Sequence, residues 1–386
     1  MGWFNHTREP NPELLEECTR KHSLLTLASD QSPNLSFLNK LPTITRAAPL
    51  AQPPMWGGGQ PRRFDRRKSY VALMISDGDN IAEDWTELRP MLEERVQSRS
   101  NVPVSWTISN RWATWGAPVL RWAFAQAAKT GVDSFLMGPS SPFASSLFRT
   151  RTTTRYAFRV ETGALISYQD HHMLLPTLAG PSGYGYSFPG NMSSAQDKDW
   201  TAAATVEAAE LLGMEAYVHW DVDLFLDNRT TSRTIDYISR FNGSAVKGAF
   251  MLGSDPIDGR WPVPAADKTK TAFIGDVATF SPIYQYGPPN SSLAAAAINA
   301  VPAGELVYCY LGLGDDMALV EEIARLASPR VELVGYRELI ALARQRGRSR
   351  SRSRSRASRA SVIEHDDLQA PPSTGDGAAE LEARHQ

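Results

Sequence analysis

The run Tyr70-Val-Ala-Leu-Met-Ile75 constrains this chain most. Six residues with no charge and no polar–apolar alternation suit a strand buried on both faces, the habit of parallel sheets. The run stops in Ser76-Asp77-Gly78-Asp79-Asn80, where two carboxylates flank a glycine that permits a tight turn. In sheets wound with helices, ligands gather at the carboxyl ends of the strands. The plainer alternative is an Asp/Gly turn that only caps a helix beginning near Ala82.

The pattern around this run repeats. Further strands are predicted at 24–28, 102–108, 133–137, 216–220, 248–252, 271–274, 306–311 and 331–334. Helices are predicted at 12–21, 85–96, 119–129, 201–212, 232–241, 292–300, 317–327 and 337–344, with Gly131 closing the third. Strands and helices alternating at this spacing imply an α/β fold, a parallel sheet with helices outside it. The count suits a (β/α) barrel of about seven parallel strands; a doubly wound open sheet is the alternative.

Four organisational segments follow. Residues 1–48 read as the N-terminal part of the barrel domain, cut from a longer upstream region. Residues 49–68, with four prolines, Gly57-Gly58-Gly59 and four arginines, read as a linker with little to bury. Residues 69–346 form the β/α body. The Arg/Ser run from Arg348 to Arg359 and the acidic end behind it can build no core, so 347–386 read as a disordered tail. Within the body, residues 140–181 have neither strand nor helix period. Gly138-Pro139-Ser140 recurs as Gly180-Pro181-Ser182, so removing one copy and the text between runs a strand straight into the following glycine-rich loop. A retained intron and an inserted surface loop both account for this.

Charge and cysteine usage exclude some classes. A net charge of −2 does not suit a nucleic-acid-binding body, and only the Arg/Ser tail offers a basic surface for RNA. Cys18 and Cys309 have no metal-spaced partners, and no apolar run reaches membrane-spanning length. Asn-x-Ser/Thr sequons begin at Asn5, Asn34, Asn191, Asn228, Asn242 and Asn290, which favours an extracellular location although no signal peptide is present in this chain.

Gly183-Tyr184-Gly185-Tyr186-Ser187-Phe188-Pro189 resembles the signature of the GxGYxYP family, classed with the glycoside hydrolases. Asp77-Gly78-Asp79-Asn80, Trp106-Thr107-Ile108-Ser109, Gly180-Pro181-Ser182, Gly2-Trp3 and Asn34-Leu35-Ser36 resemble its other segments in order. Phe188 departs from the pattern, where the family has tyrosine. The resemblance implies a β/α barrel behind an N-terminal domain and hydrolysis of glycosidic bonds by a Glu and the two Asp of Asp-Gly-Asp. It points to Glu9 as the acid, with Glu13 and Glu17 of the helix predicted at 12–21 as rivals; the plainer reading of Glu9 is a charge interacting with the dipole at the start of that helix.

Glycoside hydrolysis needs one carboxyl group to protonate the leaving oxygen and a second as base or nucleophile. Asp77 and Asp79, two positions apart on one turn, are too close to take both parts across a sugar ring. The expected division makes one of them the base that orients water while the other holds that base or the water, and the acid comes from another loop. Asn80, Tyr184, Tyr186, Phe188 and Trp112 are candidate sugar contacts, the rings as stacking faces; Trp106 and Trp115 are weighed with them, and core packing suits Trp106 better. Asp221 and Asp223, after the strand ending in His219-Trp220, are a second acidic strand end. No cofactor or metal is implied, and the expected partner is a carbohydrate substrate. Two other classes remain: a non-catalytic carbohydrate-binding or inactive homologue, and a metal-dependent polysaccharide deacetylase. The deacetylase would need histidines spaced for zinc, and His171-His172, adjacent and without a spaced partner, are a poor match.

Overall fold

The computed structural model describes residues 42–52, 62–75, 87–110, 112–138, 195–220, 235–252, 272–285, 290–312 and 317–349. Contacts divide the chain into two units, Met1–Ala343 and Arg344–Gln386. Of the second, only the end of a helix falls among the described residues; there Ser349 Oγ donates to the Arg346 carbonyl at 2.8 Å.

The first unit is mixed α/β with a mostly parallel sheet. Its strands are β1 (Ser69–Ile75), β2 (Val104–Ile108), β3 (Asp133–Met137), β4 (Ala216–Trp220), β5 (Gly248–Leu252), β6 (Ala272–Ile274), β7 (Val277–Phe280), β8 (Pro282–Gln285), β9 (Leu306–Leu311) and β10 (Val331–Leu333). The hydrogen-bonded order is β6-β7-β5-β4-β3-β2-β1-β9-β8, with β10 also paired to β1, and this path is not closed. Every pairing is parallel except β6 with β7, a hairpin turned at Gly275 with φ of 61°. Helices α1 (Arg89–Ser98), α2 (Trp112–Trp115), α3 (Ala117–Thr130), α4 (Ala195–Leu212), α5 (235–239), α6 (Ser291–Ala300), α7 (Met317–Leu326) and α8 (336–349) fill the connections. Gly131 closes α3 as expected: its φ is 71° and its N–H returns to the Ala127 carbonyl.

Strand alternation sorts the core into two faces. Val71, Leu73 and Ile75 of β1 join Val104, Trp106, Phe135, Tyr217, Val307 and residues of the helices in the outer core. Tyr70, Ala72 and Met74 join Leu136, Val218, Phe250, Phe280, Tyr308 and Tyr310 in an inner one, with Tyr336, Leu339 and Ile340 of α8 packed among them. The sheet is strongly curled. Four strands lie between β5 and β9 in the ladder, yet Tyr308 Oη of β9 donates to the Met251 carbonyl of β5 at 2.9 Å, and the rings of Tyr308 and Phe250 meet edge to face. Burial pushes the Tyr308 and Tyr336 hydroxyls above the usual range, so both act as neutral phenols.

Two polar groups inside this packing hold strands together. The β3–β4 ladder has a single register pair, Met137 with Tyr217. Below it the Gln52 side chain takes the place of a strand, accepting from Phe135 N at 2.8 Å and donating to the Phe135 carbonyl at 2.5 Å and the Gly213 carbonyl at 3.2 Å. Gln52 lies in the stretch expected to be a linker with little to bury; it is buried because a primary amide offers the same donor and acceptor as a peptide group. Phe64, from the same stretch, packs on Tyr70.

At the amino end of β3, Asp133 accepts from Arg95 Nε at 2.8 and 3.0 Å and from Trp106 Nε1 at 3.0 Å. Arg95 spends its other nitrogens on the Val102 carbonyl and Ser100 Oγ. Both side chains are almost wholly buried, at 1% and 0% exposure. Asp133→Asn should therefore destabilise the protein by about 3–5 kcal/mol, since it strands a buried guanidinium. The Arg95→Met/Asp133→Leu double variant should recover much of that loss; urea unfolding of the three proteins measures both effects.

Candidate functional site

Parallel pairing puts strand ends of one kind on one edge. Ile75 lies opposite Trp106 on one side and Leu311 on the other, Ile108 opposite Met137, and Trp220 opposite Leu252. The carboxyl ends of β1, β2, β3, β4, β5 and β9 therefore share an edge. Asp77 follows the last residue of β1 by two positions, and Asp221 follows the last residue of β4 by one.

Asp77, Asp79, Asn80, Glu9, Tyr184, Tyr186, Phe188, Asp221 and Asp223 lie outside the described residues, as do Glu13, Glu17 and the whole of the expected insertion 140–181. What is described is the framework from which β1 and β4 emerge. Among the described residues, no group of three or more His, Cys, Asp or Glu side chains is disposed to hold a metal ion.

Trp112 corrects an expectation. It is fully buried in the outer core, in α2, with its ring atoms 3.2 Å from where a Cβ on Gly116 would stand. Its ring is a packing element and presents no open face to a sugar, because α2 turns the side chain inward directly after β2. Trp106 takes the packing role expected of it. His219 is also buried, its Nδ1 3.2 Å from Tyr217 Oη and its ring beside Tyr237 of α5, so its side chain lies on the helix-covered face of β4.

Three residues to which the sequence assigned no role at the site brace the edge beside β1. Thr107 Oγ1 donates to the Ile75 carbonyl at 2.9 Å, in a buried position. Gly138 sits against Thr107 so closely that a Cβ there would lie 2.2 Å from the Thr107 Cβ, while its N–H donates to the Ile108 carbonyl. Asn110, 3% exposed, donates from Nδ2 to Met137 Sδ at 3.6 Å, and its carbonyl accepts from Ala113 N as the chain enters α2. The exits of β1, β2 and β3 are thus locked to one another by side chains where the backbone ladder ends.

Residues 67–142, which contain β1, its acidic exit, β2 and β3, match the family model described as "GxGYxYP putative glycoside hydrolase C-terminal domain". Over that segment the chain is similar to the GxGYxYP family. The glycine-rich motif at 183–189 lies beyond the matched residues, so the likeness to the GxGYxYP family rests on β1, the Asp77-Gly78-Asp79 that follows it in sequence, β2 and β3. The crystal structure of a putative hydrolase from Bacteroides thetaiotaomicron VPI-5482 shares the fold, with a TM-score of 0.58 and 16% identity over 86% of this chain. The aligned region is 55% of that protein, so this chain spans about half its length. A putative polysaccharide deacetylase from Mycobacterium smegmatis aligns over 77% of this chain and 94% of its own, at 13% identity and a TM-score of 0.41, too low to indicate a common fold. No curated protein matches the chain.

The contact at Gly138 yields a direct test. Gly138→Ala should cost about 1–3 kcal/mol by overpacking, and it should cost much less in a Thr107→Gly background, which removes the Cβ that the new methyl would meet. Thermal melts of the single and double variants, read as a double-mutant cycle, check the coupling.

Proposed function

We propose that this protein hydrolyses glycosidic bonds of a poly- or oligosaccharide, with Asp77 as the base that orients water, Asp79 holding that base or the water, and Glu9 as the acid. The observation that carries the reading is the position of β1. It is buried along its whole length and paired in parallel on both sides, and it ends two residues before Asp77 within the segment matched to the GxGYxYP family. Asn80, Tyr184, Tyr186 and Phe188, with Asp221 and Asp223 after β4, are assigned to the sugar.

The same reading takes the sheet to be the wall of a seven-stranded (β/α) barrel. Two observations support it. Ser281 alone separates β7 from β8, although the ladder order places these strands almost at its opposite ends. Neighbouring strands stand about 4.8 Å apart, and one residue spans about 3.5 Å, so a flat sheet of this order cannot be joined there. The second support is the contact of β5 with β9 across the inner core. Counting 277–285 as one strand, the wall is that strand with β5, β4, β3, β2, β1 and β9.

The full chain should release reducing ends from at least one member of a glycan panel, and Asp77→Asn should lower that turnover by about 10²–10⁴-fold with little change in melting temperature. Glycan binding without turnover, unaffected by Asp77→Asn, would identify a carbohydrate-binding homologue and overturn the assignment.

A further inference from the structure

The strand that delivers the candidate carboxylates is held at its very end by a side chain from the neighbouring strand. The β1–β2 ladder runs through the pairs Leu73 with Val104, Met74 with Ser105 and Ile75 with Trp106, and goes no further. At the next position the Thr107 hydroxyl reaches back 2.9 Å to the Ile75 carbonyl. We propose that Thr107 is a positioning residue for the carboxylates of Asp77 and Asp79, an inference that rests on the reading of their turn as the catalytic element.

The choice of residue is informative. Thr107 is 1% exposed, on the face of β2 opposite Trp106 and Ile108 of the outer core. Valine fills the same space in a buried strand without bringing a hydroxyl that must find a partner. Here the hydroxyl does find one, and that partner is the carbonyl of the last β1 residue. β-branching makes χ1 stiff, and the close approach of Gly138 leaves the Thr107 side chain little room to turn. Gly138 is itself tied to the Ile108 carbonyl, so three strand exits set the direction of one hydrogen bond. The orientation of the peptide after Ile75 is the starting direction for Ser76 and Asp77. Neither Thr107 nor Gly138 is placed to touch substrate in this account; both act through β1.

The test compares the full-chain wild type with Thr107→Val, Thr107→Ser and Asp77→Asn. Hydrogen exchange is followed by mass spectrometry on peptides covering residues 70–80, and turnover on whichever glycan of the panel the wild type cleaves. Thr107→Val should speed exchange at 76–80 while leaving 70–74 protected. It should lower kcat by about 10- to 100-fold with KM within about twofold, the size of loss that a displacement near 1 Å produces. Thr107→Ser, which keeps the hydroxyl and loses only a methyl, should restore both readouts most of the way. Exchange at 76–80 that is the same in all the Thr107 proteins overturns the proposal, as does a Thr107→Ser variant as impaired as Thr107→Val, which would mark a role in shape alone. Wild-type protein inactive on every glycan would sink the catalytic reading of the turn by itself, and the exchange comparison would still decide whether Thr107 holds the end of β1.

Discussion

Everything in the first unit is arranged around the fact that β1 has no face or edge open to water. All seven of its residues are buried, and β2, β9 and β10 pair with it in parallel. A strand in that situation must satisfy each backbone polar group with another strand and each side chain with a core. Its odd-numbered residues after Ser69 enter the outer core beneath the helices, and its even-numbered ones enter the inner core beside Tyr308 and Tyr310. The sequence places Asp77-Gly78-Asp79 directly beyond this strand, two positions after Ile75.

The two faces solve their packing with different chemistry. Aliphatic residues dominate the outer core, where helices lie on the sheet. Aromatic rings take a larger share of the inner one: Phe250 stacks on Phe280 at 4.9 Å and meets Tyr308 and Tyr336 edge to face. Large rings span the distance between strands that face each other across a curled sheet, and each tyrosine brings a hydroxyl that can end on a carbonyl, as Tyr308 does on Met251. Polar side chains are admitted where the backbone ladder fails. Gln52 fills the β3–β4 split, Thr107 extends the end of β1, and the Arg95–Asp133 pair joins α1, β2 and β3 below the sheet. Two sequon asparagines have backbone duties too: Asn242 Oδ1 accepts from Asp276 N, and Asn290 Oδ1 caps α6. Such duties give asparagine a reason to be there that is independent of glycosylation.

Much of the fold was legible because the signals were local. Strands 133–137, 216–220, 248–252 and 306–311 were read at their observed bounds, and the buried run at 70–75 falls within β1. Parallel pairing followed from the strand–helix alternation. Strands β7 and β8 were missed. Pro282 and Ser281 interrupt their run, and proline argues against a strand unless its missing N–H points away from the ladder. Helix α4 begins at Ala195, six residues before the apolar pattern that announced it, because Gln196, Asp197, Lys198 and Asp199 in its first turns carry no apolar period. Trp112 was misassigned since a tryptophan just past a strand end reads equally as a stacking face or as core.

The sequence by itself determined that a double-faced apolar strand ends in Asp77-Gly78-Asp79, that the chain alternates strand and helix, and that residues 67–142 carry a recognisable family pattern. Those properties depend on neighbours in the chain or on side-chain periodicity. The tertiary structure alone decided which groups brace the strand ends. Thr107 meets Ile75, Gly138 meets Thr107 and Gln52 meets Phe135 across 32, 31 and 83 positions of sequence. No periodicity encodes such encounters, because hydrogen bonding and steric exclusion act through space and take effect only once the sheet has brought the partners within a few ångströms.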